Sequence, residues 1–152
     1  MAAPNIVSVS SIIGESQGFE LSTTTTTALI TVASDKLVKI NRISVANIDG
    51  TNAADVTVGV DKATRTSAAT GSSVSGALFK IASTVSVPAD AVLVLLDTPI
   101  YLEEGDVLEG GASAASDLTL LTPLLGFSTH GPILPLKNIC RHGNGPRIHT
   151  LL

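Results

Sequence analysis

The chain has 152 residues, 44% hydrophobic, 14% charged and 3% aromatic, with a formal net charge of −4 and no tryptophan. That length suits one domain whose core is built from Val, Ile, Leu and Ala. A single cysteine excludes an internal disulfide framework, and no apolar run approaches the ~18 residues of a membrane-spanning helix.

The hydrophobic pattern has period two more often than period 3.6, which reads as strands. Residues 6–13 form the first predicted strand, ended by Gly14. Residues 21–32 contain five consecutive threonines, Thr23, Thr24, Thr25, Thr26 and Thr27. Their β-branches favour extended chain, and their hydroxyls suit a solvated face or an interface strand open to β-augmentation. Residues 37–48 read as the next strand, with a switch of apolar phase near Arg42 that predicts a bulge. Asp49-Gly50 is a turn dipeptide, and residues 55–60 alternate with Val56, Val58 and Val60 facing inward.

Residues 62–76 are rich in Thr, Ser, Ala and Gly and read as a long loop or extended hairpin. A strand resumes at residues 77–82, and a turn follows at 87–90. The continuous apolar run Val92 to Leu96 predicts a fully buried strand, with a short helix after Pro88 as the alternative. Residues 100–108 read as strand, tight turn, strand, with Gly105 at φ > 0 and Asp106 bonding the turn backbone. In the last run, Leu118 to Leu125, Pro123 predicts a sheet edge or a strand end. The fold class is therefore all-β: a single β-sandwich, jelly-roll or immunoglobulin-like, over residues 1–127.

Residues 128–152 differ in kind. They hold all three histidines, the cysteine, and three of the seven prolines. Their charge is +3, from Lys137, Arg141 and Arg147 with no acid, against −7 for residues 1–127 from six Lys/Arg and thirteen Asp/Glu. They read as an extended C-terminal arm that cannot fold alone and is pinned to its own body or a neighbour. The residues expected to make such contacts are Ile133, Leu134, Leu136, Ile139, Arg141, Arg147, Leu151 and Leu152, with Thr23 to Thr27 as a second interface element. The acidic body disfavours phosphate backbones, so no nucleic-acid partner is expected.

The catalytic inventory is thin. Residues 1–129 lack His and Cys, which removes the usual general bases, thiols and zinc ligands. Glu103, Glu104, Asp106 and Glu109 offer carboxylates but not the alternating spacing of a calcium loop; they read as turn and open-face residues. Cys140, His142 and His149, with His130 upstream, match no recurrent zinc spacing. Neither glycine pair is followed by the Lys-Ser/Thr of a phosphate loop. Phe19, Phe79, Tyr101 and Phe127 are too few for an obvious sugar-stacking platform, so a carbohydrate-binding module is a distant alternative. No catalytic site, metal or cofactor is expected.

Four strings, MAAPNIVSVSSIIG at the start, NIDGTNAADVTV (47–58), STVSVPADAVLVLLD (83–97) and IYLEEGDVLEGGASAASDL (100–118), resemble in this order small structural proteins of tailed bacteriophages, especially marine and cyanobacterial phages. The resemblance covers roughly residues 1–120. It implies a virion component made in the host bacterial cytoplasm. The expected role is a capsid decoration (cement) protein, with a neck, tail or fibre-adaptor part as the alternative. The implied partners are the major capsid protein, other virion proteins and further copies of the chain, with a trimer favoured. The chain departs from these proteins in a longer 62–76 segment and in its basic arm, since they tend to end soon after the last strand.

Overall fold

A computed structural model describes residues 9–22 and 26–129. Thr23, Thr24 and Thr25, and the interface residues expected between Ile133 and Leu152, lie outside the described residues, as do residues 6–8 of the first predicted strand. Among the described residues there are twelve strands and no helix, so none is long and apolar enough to cross a membrane.

One sheet contains β1 (Ser11–Leu21), β3 (Lys36–Ile40), β4 (Ile43–Asn47), β9 (Val92–Leu96), β10 (Ile100–Leu102) and β12 (Leu118–Ser128). The second contains β2 (Thr27–Thr31), β5 (Ala54–Lys62), β8 (Ala77–Val87) and β11 (Val107–Ala112). A small hairpin, β6 (Arg65–Thr66) and β7 (Ser73–Val74), occupies the predicted long loop.

The first sheet is simpler than its strand count. β1 occupies one edge of β12 along its whole length, from Ser11 opposite Ser128 to Leu21 opposite Leu118. β3 and β4 therefore share the other edge, pairing with the second and first halves of β12. β10 and β9 extend them in the same way. Taken as continuous rows, β3–β4 is the third long strand and β9–β10 the sixth. The sheet orders are then first-eighth-third-sixth and second-seventh-fourth-fifth, all antiparallel, which is jelly-roll topology.

The predicted bulge near Arg42 is the break between β3 and β4. It also explains Pro123, which is neither at an edge nor at a strand end but in the middle of a central strand. In an antiparallel ladder a residue's N–H and C=O point to the same neighbour. The Pro123 carbonyl accepts from Asn41 N at 3.0 Å, so the missing N–H faces this break, where no ladder bond is lost. Gly14 does not end β1. It lies opposite Leu125, where an added Cβ would sit 3.3 Å from Leu125 Cδ2.

Inward residues of both sheets form one core. Val56, Val58 and Val60 of β5 are buried as their alternation requires, and Ile40, Ile43, Val45, Leu108, Leu118 and Leu120 meet them. The turn after β10 has Gly105 at φ 82°, and Asp106 Oδ2 accepts from Glu103 N at 2.9 Å. Residues 87–90 turn as read, with Asp90 at φ 55°. β9 is a strand rather than a helix, but it is not fully buried: it lies at the sheet edge, and Val92 is 69% exposed.

Thr122 also faces this core, and its hydroxyl is buried with no hydrogen-bond partner among the described residues. Valine has nearly the same shape without the desolvated hydroxyl. Thr122→Val is expected to raise stability by about 1 kcal/mol, read as a higher denaturant midpoint at unchanged slope.

Candidate functional site: the apolar outer face of the first sheet

The outer face of a sandwich sheet ordinarily carries polar side chains. Register defines this one. Ile12 and Phe127, Gly14 and Leu125, Gly18 and Leu121, and Glu20 and Thr119 pair across β1 and β12. Leu121 continues to Ser44 and Val94, and Thr119 to Ala46 and Val92. Ile12, Leu121 and Val92 are each more than half exposed. Apolar side chains thus stand on β1, β12 and β9, with the small Ser44 and Ala46 of β4 between the last two.

Small residues between them leave a groove of about 550 Å³, lined by Gly18, Phe19, Glu20, Ser44, Ala46, Val92, Thr119, Leu120 and Leu121. Gly18, Ser44 and Ala46 form the low ground, while Val92 and Leu121 stand up from it. Glu20 is the ionisable side chain among the lining residues. Such a surface suits an apolar partner segment.

Charge is ordered along the same sheet. At the end where β12 begins are Glu20, beside Thr119, and Asp49, Asp90 and Asp117 in the adjoining turns. Asp49 accepts from Asn52 Nδ2 and Thr51 N, both at 2.9 Å, and these bonds hold its carboxyl below the ordinary carboxylate range. At the end where β12 finishes, Lys36 lies opposite Ser128 and Lys39 opposite Leu125. Lys39 Nζ lies 5.9 Å from the Tyr101 ring centre.

The carboxylate group singled out in the sequence is built differently from the expected open hairpin face. Asp106 is fully buried. It accepts from Lys62 Nζ, from Arg65 Nη1 at 2.5 Å and Nη2 at 3.2 Å, and from the Ala63 and Glu103 amides at 3.0 and 2.9 Å. Burial pushes the Asp106 carboxyl up, but the bonds from Arg65, Lys62 and the two amides outweigh it and bring it down to about 2. Glu103 pairs with Arg65 Nε at 3.0 Å, and Glu104 accepts from Asp35 N at 3.3 Å. This is a structural clamp tying the β10–β11 turn to the base of the β6–β7 hairpin. No metal-ligating cluster occurs among the described residues.

Of the predicted interface threonines, Thr26 lies just outside a strand and Thr27 begins β2, at the edge of the second sheet. Thr27 Oγ1 donates to Gly110 O at 3.5 Å. They do not adjoin the groove. The groove residues were not singled out in the sequence, although a signal exists. Val92–Leu96 and Leu118–Leu125 are apolar at both parities, so one of their faces must meet something other than the core.

No family model matches the chain, and no curated protein matches it. Among solved structures it is similar to a chain reported under "Bacillus endospore appendages form a novel family of disulfide-linked pili". The identity is 11%, over 79% of this chain and 90% of that one, with a TM-score of 0.42.

Proposed function

We propose that this chain is a structural component of a tailed-bacteriophage virion, acting as a capsid decoration or cement protein. The observation that carries the reading is the apolar outer face of the first sheet on a jelly-roll body with a low charge content. That surface is matched to a large apolar partner rather than to water. The sequence resemblance supplies the setting: the major capsid protein is the partner, and further copies of the chain, as a trimer, complete the contact. The acidic body disfavours nucleic acid as a partner by charge, and no catalytic, metal or cofactor role is assigned.

Quantitative gels of purified particles test this reading. A cement protein is present at on the order of hundreds of copies per particle, whereas a neck or tail part is present at about 6–12. Absence from the particle overturns the reading. A second arm uses Val92→Glu with Leu121→Glu. Both sites are exposed and tolerate charge, so melting changes little, while incorporation is expected to fall at least about tenfold. Unchanged incorporation removes this face from the contact.

A further inference from the structure

We infer that the outer edge of β1 pairs with the same edge of a second copy of this chain, antiparallel about a twofold axis at Ser16, so that the first sheets of the two copies become one. This goes beyond the virion reading and does not depend on it, because the contact forms between free chains.

Among the described residues, β1 is the sheet edge that lacks protection. β9 and β10 are separated by residues 97–99, with Pro99 among them. β2 is five residues long and its pairing with β11 shifts register. β8 shifts register against β5 and carries Lys80. Breaks, bulges, lysines and prolines are how sheet edges avoid one another. β1 instead keeps eleven residues in unbroken register with β12 and contains no Lys, Arg or Pro.

The geometry of Pro123 fixes which backbone groups line this edge. The Pro123 carbonyl points to Asn41, so the backbones of its neighbours Thr122 and Leu124 point the other way, to Gln17 and Glu15. The odd-numbered residues of β1 therefore bond to β12. The N–H and C=O groups of Ile12, Gly14, Ser16, Gly18 and Glu20 face outward, where no described chain meets them.

The sequence along this edge is self-complementary, as an isologous contact requires. Residues 13–19 read Ile-Gly-Glu-Ser-Gln-Gly-Phe, which has the same chemistry in both directions from Ser16. Antiparallel pairing about Ser16 sets Gly14 opposite the second copy's Gly18, in pairs that exchange two backbone bonds. Ile13 then meets the second copy's Phe19, and Glu15 its Gln17, at the closer non-hydrogen-bonded positions. Ile13 lies on the same side of β1 as the buried Leu21, yet is 56% exposed, so the pairing covers it. Gln17 Nε2 donates to Glu15 Oε1 of its own chain at 2.5 Å, and its second amide hydrogen is left for the second copy's Glu15. A slip of the axis to position 15 sets Glu15 against Glu15, and a slip to position 17 sets Glu15 against Phe19. The axis at Ser16 avoids both.

Because an edge buries less than a face, the expected dissociation constant is on the order of 10 μM. Sedimentation of the full chain at about 100 μM should show a twofold species that dissociates on dilution. Ser16→Pro removes an N–H that makes no bond to β12, so the fold is kept while the dissociation constant rises at least about tenfold. A monomer at that concentration, or an oligomer indifferent to Ser16→Pro, overturns the inference. The register is read by oxidation in a Cys140→Ser background. Ser16→Cys places two thiols on the axis, with Cα atoms about 5.5 Å apart. With Gly18→Cys the two are offset by about 13 Å along the strands. The interchain disulfide should form at least about tenfold faster for Ser16→Cys, and equal rates overturn the inference even if Ser16→Pro fails to fold. Failure here leaves the virion reading intact, and absence from particles leaves this one intact.

Discussion

Asp106→Ala is expected to lower the unfolding free energy by about 3 kcal/mol at neutral pH, measured as a lower denaturant midpoint. The carboxylate is fully buried and collects donors from Lys62, Ala63, Glu103 and both Nη atoms of Arg65. Removing it leaves two cations and two backbone amides facing an empty site. Lys62 and Arg65 keep 22% and 13% of their side chains exposed, so water recovers part of the loss. The cost is therefore set at the lower end for a broken buried pair. Asp106→Asn keeps the volume but turns an amide donor towards existing donors, and is expected to recover little.

The same group predicts a pH window. The folded pKa is lowered from 3.8 to about 2. The carboxylate's contribution is thus complete above 3.8 and is lost as the pH falls through about 2. With screening near Lys62, the pH-dependent part is about 1–2 kcal/mol. The gap in stability between the natural chain and Asp106→Ala should narrow by that amount across this window. A constant gap would show that Asp106 is not held ionised by its partners.

Asn47→Ala is expected to cost about 2–4 kcal/mol. Asn47 is 4% exposed, at the end of β4. Its Nδ2 donates to Asn52 O and Val87 O, both at 2.9 Å, and its Oδ1 accepts from Asp49 N at 2.9 Å. One side chain thereby shapes the 47–54 turn and ties the first sheet to the end of β8 in the second. Alanine leaves the Val87 carbonyl and the Asp49 amide without this partner and opens a gap at the joint. Asn47→Asp is the sharper variant. It replaces a donor by an acceptor aimed at two carbonyl oxygens, so the new carboxyl is pushed up. Its destabilisation should deepen as the pH rises from about 4 to 7, opposite in sign to the Asp106 effect. Thermal melts of both variants across that range separate the two.

The string that contains Asn47 was legible as a turn followed by a strand, because Asp49-Gly50 and the alternating valines are local signals. The bonding of Asn47 was not, because one of its acceptors lies on Val87, forty positions away. The acids at 103–109 show the same limit. Gly105 and the Asp106–Glu103 turn bond could be read from adjacent residues, whereas Lys62 and Arg65 come from a strand end and hairpin far earlier in the chain. Without them, Asp106 looked like one more solvated carboxylate.

The candidate face was hidden for a related reason. A run apolar at both parities fits a strand covered on both sides, which is what Val92–Leu96 implies when taken alone. The structure places that run at a sheet edge where, among the described residues, no second layer lies outside it, leaving Val92 and Val94 exposed. Pro123 misleads in the opposite direction. A proline marks an edge only if its missing donor would have met a ladder, and here it meets the break between β3 and β4.

Local stereochemistry therefore determined the class of this protein: β-branched alternation, turn glycines and the lack of helical period dictate an all-β sandwich with a basic arm of different composition. Only the tertiary structure decided the jelly-roll order, the burial of Asp106 and Asn47, and which apolar row faces outward. Those properties depend on which strands become neighbours, and strand neighbours are chosen by long-range pairing that no short window of sequence contains.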